Sequence, residues 1–232
     1  MMYRSNNQGF TIVELTLAMT FLALLMLAIA MVTMQISAIY VKGLTLREVN
    51  QSGQQISTDL RDSLSQSVSS VTTVGDDTGG RLCIDNTVYA WNYAESLGET
   101  IGVFNIRTGV SGAGATDVRL MKFIRQDSTE YCLIGEDGYY PQLPNTATEL
   151  LGSGNKDIAI HEASITENTV QGDQSQTVYA VSLLIGTKKT GELIDNDGAG
   201  ACDPSDEVDS DNCAVNRFKF TARSGNKEEE ER

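Results

Sequence analysis

The chain has 232 residues, with 31 acidic against 17 basic side chains and a formal net charge of −14. That balance argues against nucleic-acid binding, which needs a basic footprint; Lys188-Lys189 is the one adjacent basic pair. Four cysteines, a single histidine and no internal repeat leave a narrow chemical repertoire, and about 160 residues beyond the first helix suffice for one globular domain.

Residues 1–9 are a short polar leader with one basic residue, Arg4. The run Gly9-Phe10-Thr11-Ile12-Val13-Glu14-Leu15 follows, and the 27 residues from Leu15 to Val41 carry no charge. About 20 apolar residues cross a hydrocarbon core, so residues 10–41 read as a membrane-length helix. A lone carboxylate at the near end of such a helix is costly, which marks Glu14 as a residue with a role. A cleaved secretory signal would use Ala28-Ile29-Ala30 as its small-residue site, but the apolar stretch is too long for a signal core and Glu14 is misplaced inside one. A plain membrane anchor is the other alternative, and its orientation stays open because Arg4 stands against Lys42 and Arg47.

Past Val41 the pattern narrows to one apolar stripe, Val49, Ile56, Leu60, Leu64, Val68 and Val71, which is helical spacing. The spacing predicts one helix over 10–72, weakened at Gly43 and Gly53 by about 1 kcal/mol each relative to alanine. It should stop before Gly75-Asp76-Asp77-Thr78-Gly79-Gly80, a loop signature. Residues 73–232 then read as a β-rich domain of seven or eight short strands. The predicted strands are 81–84, 87–93, 100–107, 118–125, 130–134, 158–165, 177–185 and 216–222, with Asp85-Asn86 as a tight turn. Tyr89, Trp91 and Tyr93 alternate, so they share one strand face suited to the core. The fold class is α+β, with the helical stripe packed on an antiparallel sheet.

Catalytic signals are absent from the pattern. His161 lies among Ile158, Ile160 and Ala163 and reads as a structural histidine. Gly109-Val110-Ser111-Gly112-Ala113-Gly114 lacks the lysine of a phosphate loop. No serine or cysteine has a plausible base, so the chain is not expected to be an enzyme. One acidic loop, 195–213, holds seven carboxylates beside two cysteines. Asp195, Asp197, Asp203, Asp206, Asp209 and Asp211 are candidate Ca²⁺ ligands there, with Gly198 allowing a sharp turn. The Asp-x-Asp-Gly opening resembles calcium loops generally, without the third ligand and closing Glu of an EF-hand. A solvated acidic loop closed by a disulfide is the alternative. Cys202 and Cys213 are close in sequence and should pair, which leaves Cys83 with Cys132 joining two strands. The tail 224–232, with Glu228-Glu229-Glu230-Glu231, reads as a frayed solvated end.

Gly9, Phe10 and the Thr-Ile-Val-Glu-Leu that follows resemble the N-terminus of type IV pilins and of type II secretion pseudopilins. Lys42-Gly43-Leu44-Thr45-Leu46-Arg47-Glu48-Val49-Asn50, leading to Asp59-Leu60-Arg61, is similar to minor pilins of the PilW/PulJ type. The resemblance covers residues 1–72. It implies a pilin-like fold, cleavage by a prepilin peptidase between Gly9 and Phe10, and methylation of the new Phe10 amine. It makes Glu14 the assembly carboxylate. It implies a low-copy subunit of an extracellular pilus, held in the membrane as a single-pass prepilin, with other pilin subunits and the assembly platform as partners. A type II secretion pseudopilin would use the same residues; a membrane-anchored calcium-binding adhesion module is the reading from another class.

Overall fold

The computed structural model describes residues 11–68, 71–97, 119–126, 128–133, 140–151, 158–169, 177–187, 193–194, 201–202 and 213–224. The expected strand 100–107, the glycine loop 109–114, the six candidate calcium ligands and the glutamate tail lie outside these residues, as do Gly9 and Phe10. The chain divides into two units, Met1–Val41 and Lys42–Arg232. One α-helix, α1 (Ile12–Ser65), and ten strands among the described residues make an α+β layout.

In the first unit the helical residues form no core. Ile12 is 82% exposed, and Phe21, on the opposite side of the helix, is 63% exposed. Leu, Ala and Met are strong helix formers, and their all-round exposure suits a segment whose solvent is apolar. Thr16, Thr20 and Thr33 donate their hydroxyls to the carbonyls of Val13, Leu17 and Ala30 at 3.0, 2.9 and 2.8 Å. Those polar atoms are thereby satisfied inside the helix and need no water. This is one candidate membrane-spanning helix near the N-terminus.

In the second unit the rest of α1 buries Thr45, Val49, Gly53, Ile56, Leu60 and Leu64. The buried stripe has the expected spacing as far as Leu64. The helix stops at Ser65, short of the expected residue 72, and Val68 is 61% exposed. Ser65 and Ser67 turn their hydroxyls back onto the carbonyls of Asp62 and Leu64 at 3.0 and 2.7 Å, capping the last turn. Val71-Thr72-Thr73-Val74, β-branched throughout, instead opens β1 (Val71–Asp76). The expected loop at 75–80 is mostly strand. Asp76 Oδ1 accepts from the N–H and hydroxyl of Thr78 at 2.7 and 2.6 Å, closing a tight turn into β2 (Gly79–Ile84).

A five-stranded antiparallel sheet runs in the order β1-β2-β3-β4-β5, with β3 (Thr87–Asn92), β4 (Leu120–Ile124) and β5 (Thr148–Glu149). The β2–β3 turn is Asp85-Asn86, with Asp85 at φ 46°, a left-handed conformation that Asp tolerates. Gly80 faces Trp91 across the ladder, and a Cβ at Gly80 would strike the indole. Glycine there lets the ring lie flat on the strand.

Leu82, Ile84, Tyr89, Trp91 and Leu120 share a core with the α1 stripe, while Cys83, Val88, Ala90, Met121 and Phe123 pack in a second cluster with Leu143. Residues 130–132 of the predicted strand are instead part of a 3₁₀ turn, Ser128–Cys132. It is drawn across β2 by the Cys83–Cys132 bond and by Arg81 Nη1, which donates to the Tyr131 carbonyl at 2.9 Å. The bond therefore joins a strand to a turn and not two strands.

A second antiparallel sheet has the order β10-β7-β6, from β6 (Ile158–Thr169), β7 (Thr177–Thr187) and β10 (Val215–Arg223). Tyr93 forms a parallel bridge to Ile160, linking the two sheets. Tyr179, Val181, Leu183, Ile185, Phe220 and Ala222 face the common core. β10 is held to the helix at Asn216, whose Nδ2 donates to Asn50 Oδ1 at 2.6 Å. Gly53 sits under the Phe218 ring, so its role is close approach. A short pair, β8 (Leu193–Ile194) and β9 (Ala201–Cys202), leads to the Cys202–Cys213 disulfide.

Candidate functional site

The strongest chemical feature is the first turn of α1. Thr11 is the residue before the helix and Glu14 stands three positions on, the spacing of a capping box. Glu14 Oε2 accepts from the Thr11 N–H at 3.0 Å and from the Thr11 hydroxyl at 2.9 Å. The Glu14 N–H returns to Thr11 Oγ1 at 3.4 Å. One carboxylate oxygen, Oε2, thus takes both Thr11 donors. The carboxylate is fixed in direction and sits where the helix dipole favours negative charge. Beyond it the exposed apolar surface runs from Leu15 to Tyr40, where Ala38 alone is half-buried. Gly9 and Phe10, the other two residues marked by the sequence, lie outside the described residues.

His161 and the four cysteines belong to the second unit. His161 sits at an irregularity in β6 between Ile160 and Glu162, and its Nε2 lies 2.8 Å from the Thr187 carbonyl. Burial holds its pKa below the ordinary value of 6.5, with the Thr187 bond opposing. Its hydrogen bond is to a backbone carbonyl, and the Glu95 carboxylate acts on it only through charge. Cys83–Cys132 and Cys202–Cys213 are both bonded, with Cα separations of 6.2 and 5.9 Å, and no free cysteine remains. Among the described residues no group of three or more metal-capable side chains occurs. The candidate calcium ligands 195–211 fall outside them.

Two polar arrangements had no signal in the sequence pattern. Arg81 is 2% exposed, stacks 5.0 Å over the Tyr140 ring, and leaves its Nε without a hydrogen-bond partner among the described residues. Burial lowers its pKa to about 10, against the raising influence of Tyr140 and Tyr131. The second is a cluster between helix and sheet, where Asp59 meets both Tyr89 and Lys122. Both depend on pairings far apart in sequence, which no local period announces.

No known protein family, characterised protein or solved structure matches this chain.

Proposed function

We propose that the chain is a minor structural subunit of a type IV pilus, made as a membrane prepilin, cut between Gly9 and Phe10, methylated on the Phe10 amine and packed into the filament through α1. The observation that carries this reading is Glu14, a single carboxylate at the head of an apolar helix exposed on all sides. Its setting in the sequence Gly9-Phe10-Thr11-Ile12-Val13-Glu14-Leu15 is the pilin-like one.

The physics follows from the new N-terminus. An α-amino group has a pKa of about 7.7–8.0 and is mostly cationic at neutral pH. Opposite charges attract far more strongly in low dielectric than in water, so an amine and a carboxylate in a lipid or filament interior seek each other. A neighbour's amine would relieve the Glu14 charge only when subunits stack, which ties burial of α1 to correct docking. The α+β layout, with a helical stripe held on an antiparallel sheet, supports a subunit whose domain faces outward. The acidic loop 195–213 would lie on that outer domain, with calcium as its candidate ligand.

The test is assembly in the native host. Gly9→Ala should leave an unprocessed membrane form that never enters filaments. Glu14→Ala should be processed yet incorporated poorly, and Glu14→Asp should recover part of the loss. Normal incorporation of Glu14→Ala would remove the pairing role. Incorporation into a secretion apparatus in place of a pilus would assign the chain to the pseudopilins.

A further inference from the structure

The outer face of the β10-β7-β6 sheet gathers cations in a chain whose net charge is −14. Successive rows across it are Arg217–Leu184–Glu162, Lys219–Ser182–Ser164 and Thr221–Ala180–Thr166. Small side chains in the middle strand leave an open groove of about 700 Å³, and Arg61 reaches it from α1. Arg217 is committed there, with Nη1 and Nη2 bonded to the two Glu162 oxygens at 3.1 and 2.7 Å. Arg61 and Lys219 have no ion-pair partner among the described residues, and Arg61 only stacks on the Phe220 ring at 5.3 Å. The groove thus holds one neutralised couple and two cations without an ion pair among the described residues, with Lys219 adding to the pull of Arg217 on the Glu162 carboxyl, beside the Ser164 and Ser182 hydroxyls.

We propose that this groove holds the chain's own acidic run Glu228-Glu229-Glu230-Glu231, folded back along β10. The strand delivers the chain to the right place. Ser224 is pinned at its end, its N–H donating to the Thr177 carbonyl at 2.8 Å and its Oγ accepting from the Thr177 N–H at 3.0 Å. From there the four glutamates begin four residues on, a reach of about 13–25 Å in extended chain. Lys219 lies five strand residues back, about 17 Å. A short tether raises the effective concentration to the millimolar range, enough for contacts that would be weak between separate molecules. The docked run neutralises the basic face, so an acidic partner for that face must first displace it. The inference is independent of the filament reading.

Zero-length carbodiimide cross-linking of the full chain in detergent, followed by peptide mapping, tests it. Lys122 and Asp59, 2.7 Å apart, supply an internal standard that reports an intact fold. Lys219 should couple to glutamates 228–231. Relative to the standard, that yield should fall about two- to fivefold in Arg61→Gln, the range of an exposed ion pair. It should fall likewise at about 1 M salt, where the screening length shrinks to about 3 Å. In an equal mixture of ¹⁴N and ¹⁵N protein, products should join segments of the same isotope. Absence of the Lys219 product would overturn the proposal, as would a yield indifferent to Arg61→Gln and salt. Products joining different isotopes would assign the groove to a second copy and overturn it equally.

Discussion

The Tyr89 phenol on β3 donates to Asp59 Oδ2 of α1 at 2.7 Å, and the same carboxylate accepts from Lys122 Nζ of β4 at 2.7 Å. Ser63, one turn further along the helix, lies 2.8 Å from the phenol oxygen, and the Lys122 ammonium sits 5.3 Å from the ring centre. Helix and sheet are therefore joined by a polar tie beside the apolar core. Burial above all, with the Asp59 charge beside it, pushes the Tyr89 pKa up, so the phenol stays a donor at any working pH.

Tyr89→Phe removes the donor and leaves Asp59 with Lys122 alone. Bonds to charged groups contribute about 1.5–3 kcal/mol, and Asp59 is partly exposed, so the expected loss is about 1–2 kcal/mol. Denaturant unfolding of the full chain in detergent measures it. A loss below about 0.3 kcal/mol would show that the tie adds nothing to the packing.

Two glycines of α1 should respond in opposite directions to alanine. A Cβ at Gly43 meets nothing within 4 Å, so Gly43→Ala should stabilise by about 0.5–1 kcal/mol through helix propensity. A Cβ at Gly53 strikes the Phe218 ring, which must swing off the helix. Gly53→Ala should therefore destabilise by about 1–2 kcal/mol despite its better propensity. The same unfolding assay reads both.

The two disulfides close loops of different length, 49 and 11 residues apart in sequence. Chain-entropy arguments give about 4 kcal/mol for the Cys83–Cys132 bond and about 3 kcal/mol for the Cys202–Cys213 bond. Paired Cys→Ala variants should follow that order in their melting temperatures. The first pair also loses contacts in a buried cluster, which widens the gap.

His161 supplies a pH dependence of known sign. Its folded-state pKa lies below 6.5, so in the window just beneath 6.5 the unfolded chain binds a proton that the folded chain does not. Stability is then complete above 6.5 and falls as pH drops through the folded value, by at most about 1.4 kcal/mol per pH unit. His161→Gln should flatten that part of the profile, measured as melting temperature against pH.

Local signals carried the helix well and its end poorly. Val49, Ile56, Leu60 and Leu64 follow a 3.6-residue period that needs no tertiary information. The same period runs on into Val68 and Val71, because hydrophobic spacing does not register the Ser65 and Ser67 caps or the pairing of β1 with β2. Residues 130–134 look like a strand by composition, but part of that segment is held as a turn by a covalent bond 49 residues away. The Asp59–Tyr89–Lys122 tie spans separations of 30 and 63 residues and had no local trace. Glu14 was legible because one charge heading an apolar run is visible in composition alone.

The proposed function requires processing at Gly9 and the charge pair this would create. Intact-mass and N-terminal peptide analysis of the chain from its native envelope tests that most directly. The expected species lacks the first nine residues, starts at Phe10 and is one methyl group heavier than the unmodified sequence from that point. A native chain that keeps residues 1–9 in the presence of an active prepilin peptidase would contradict the account.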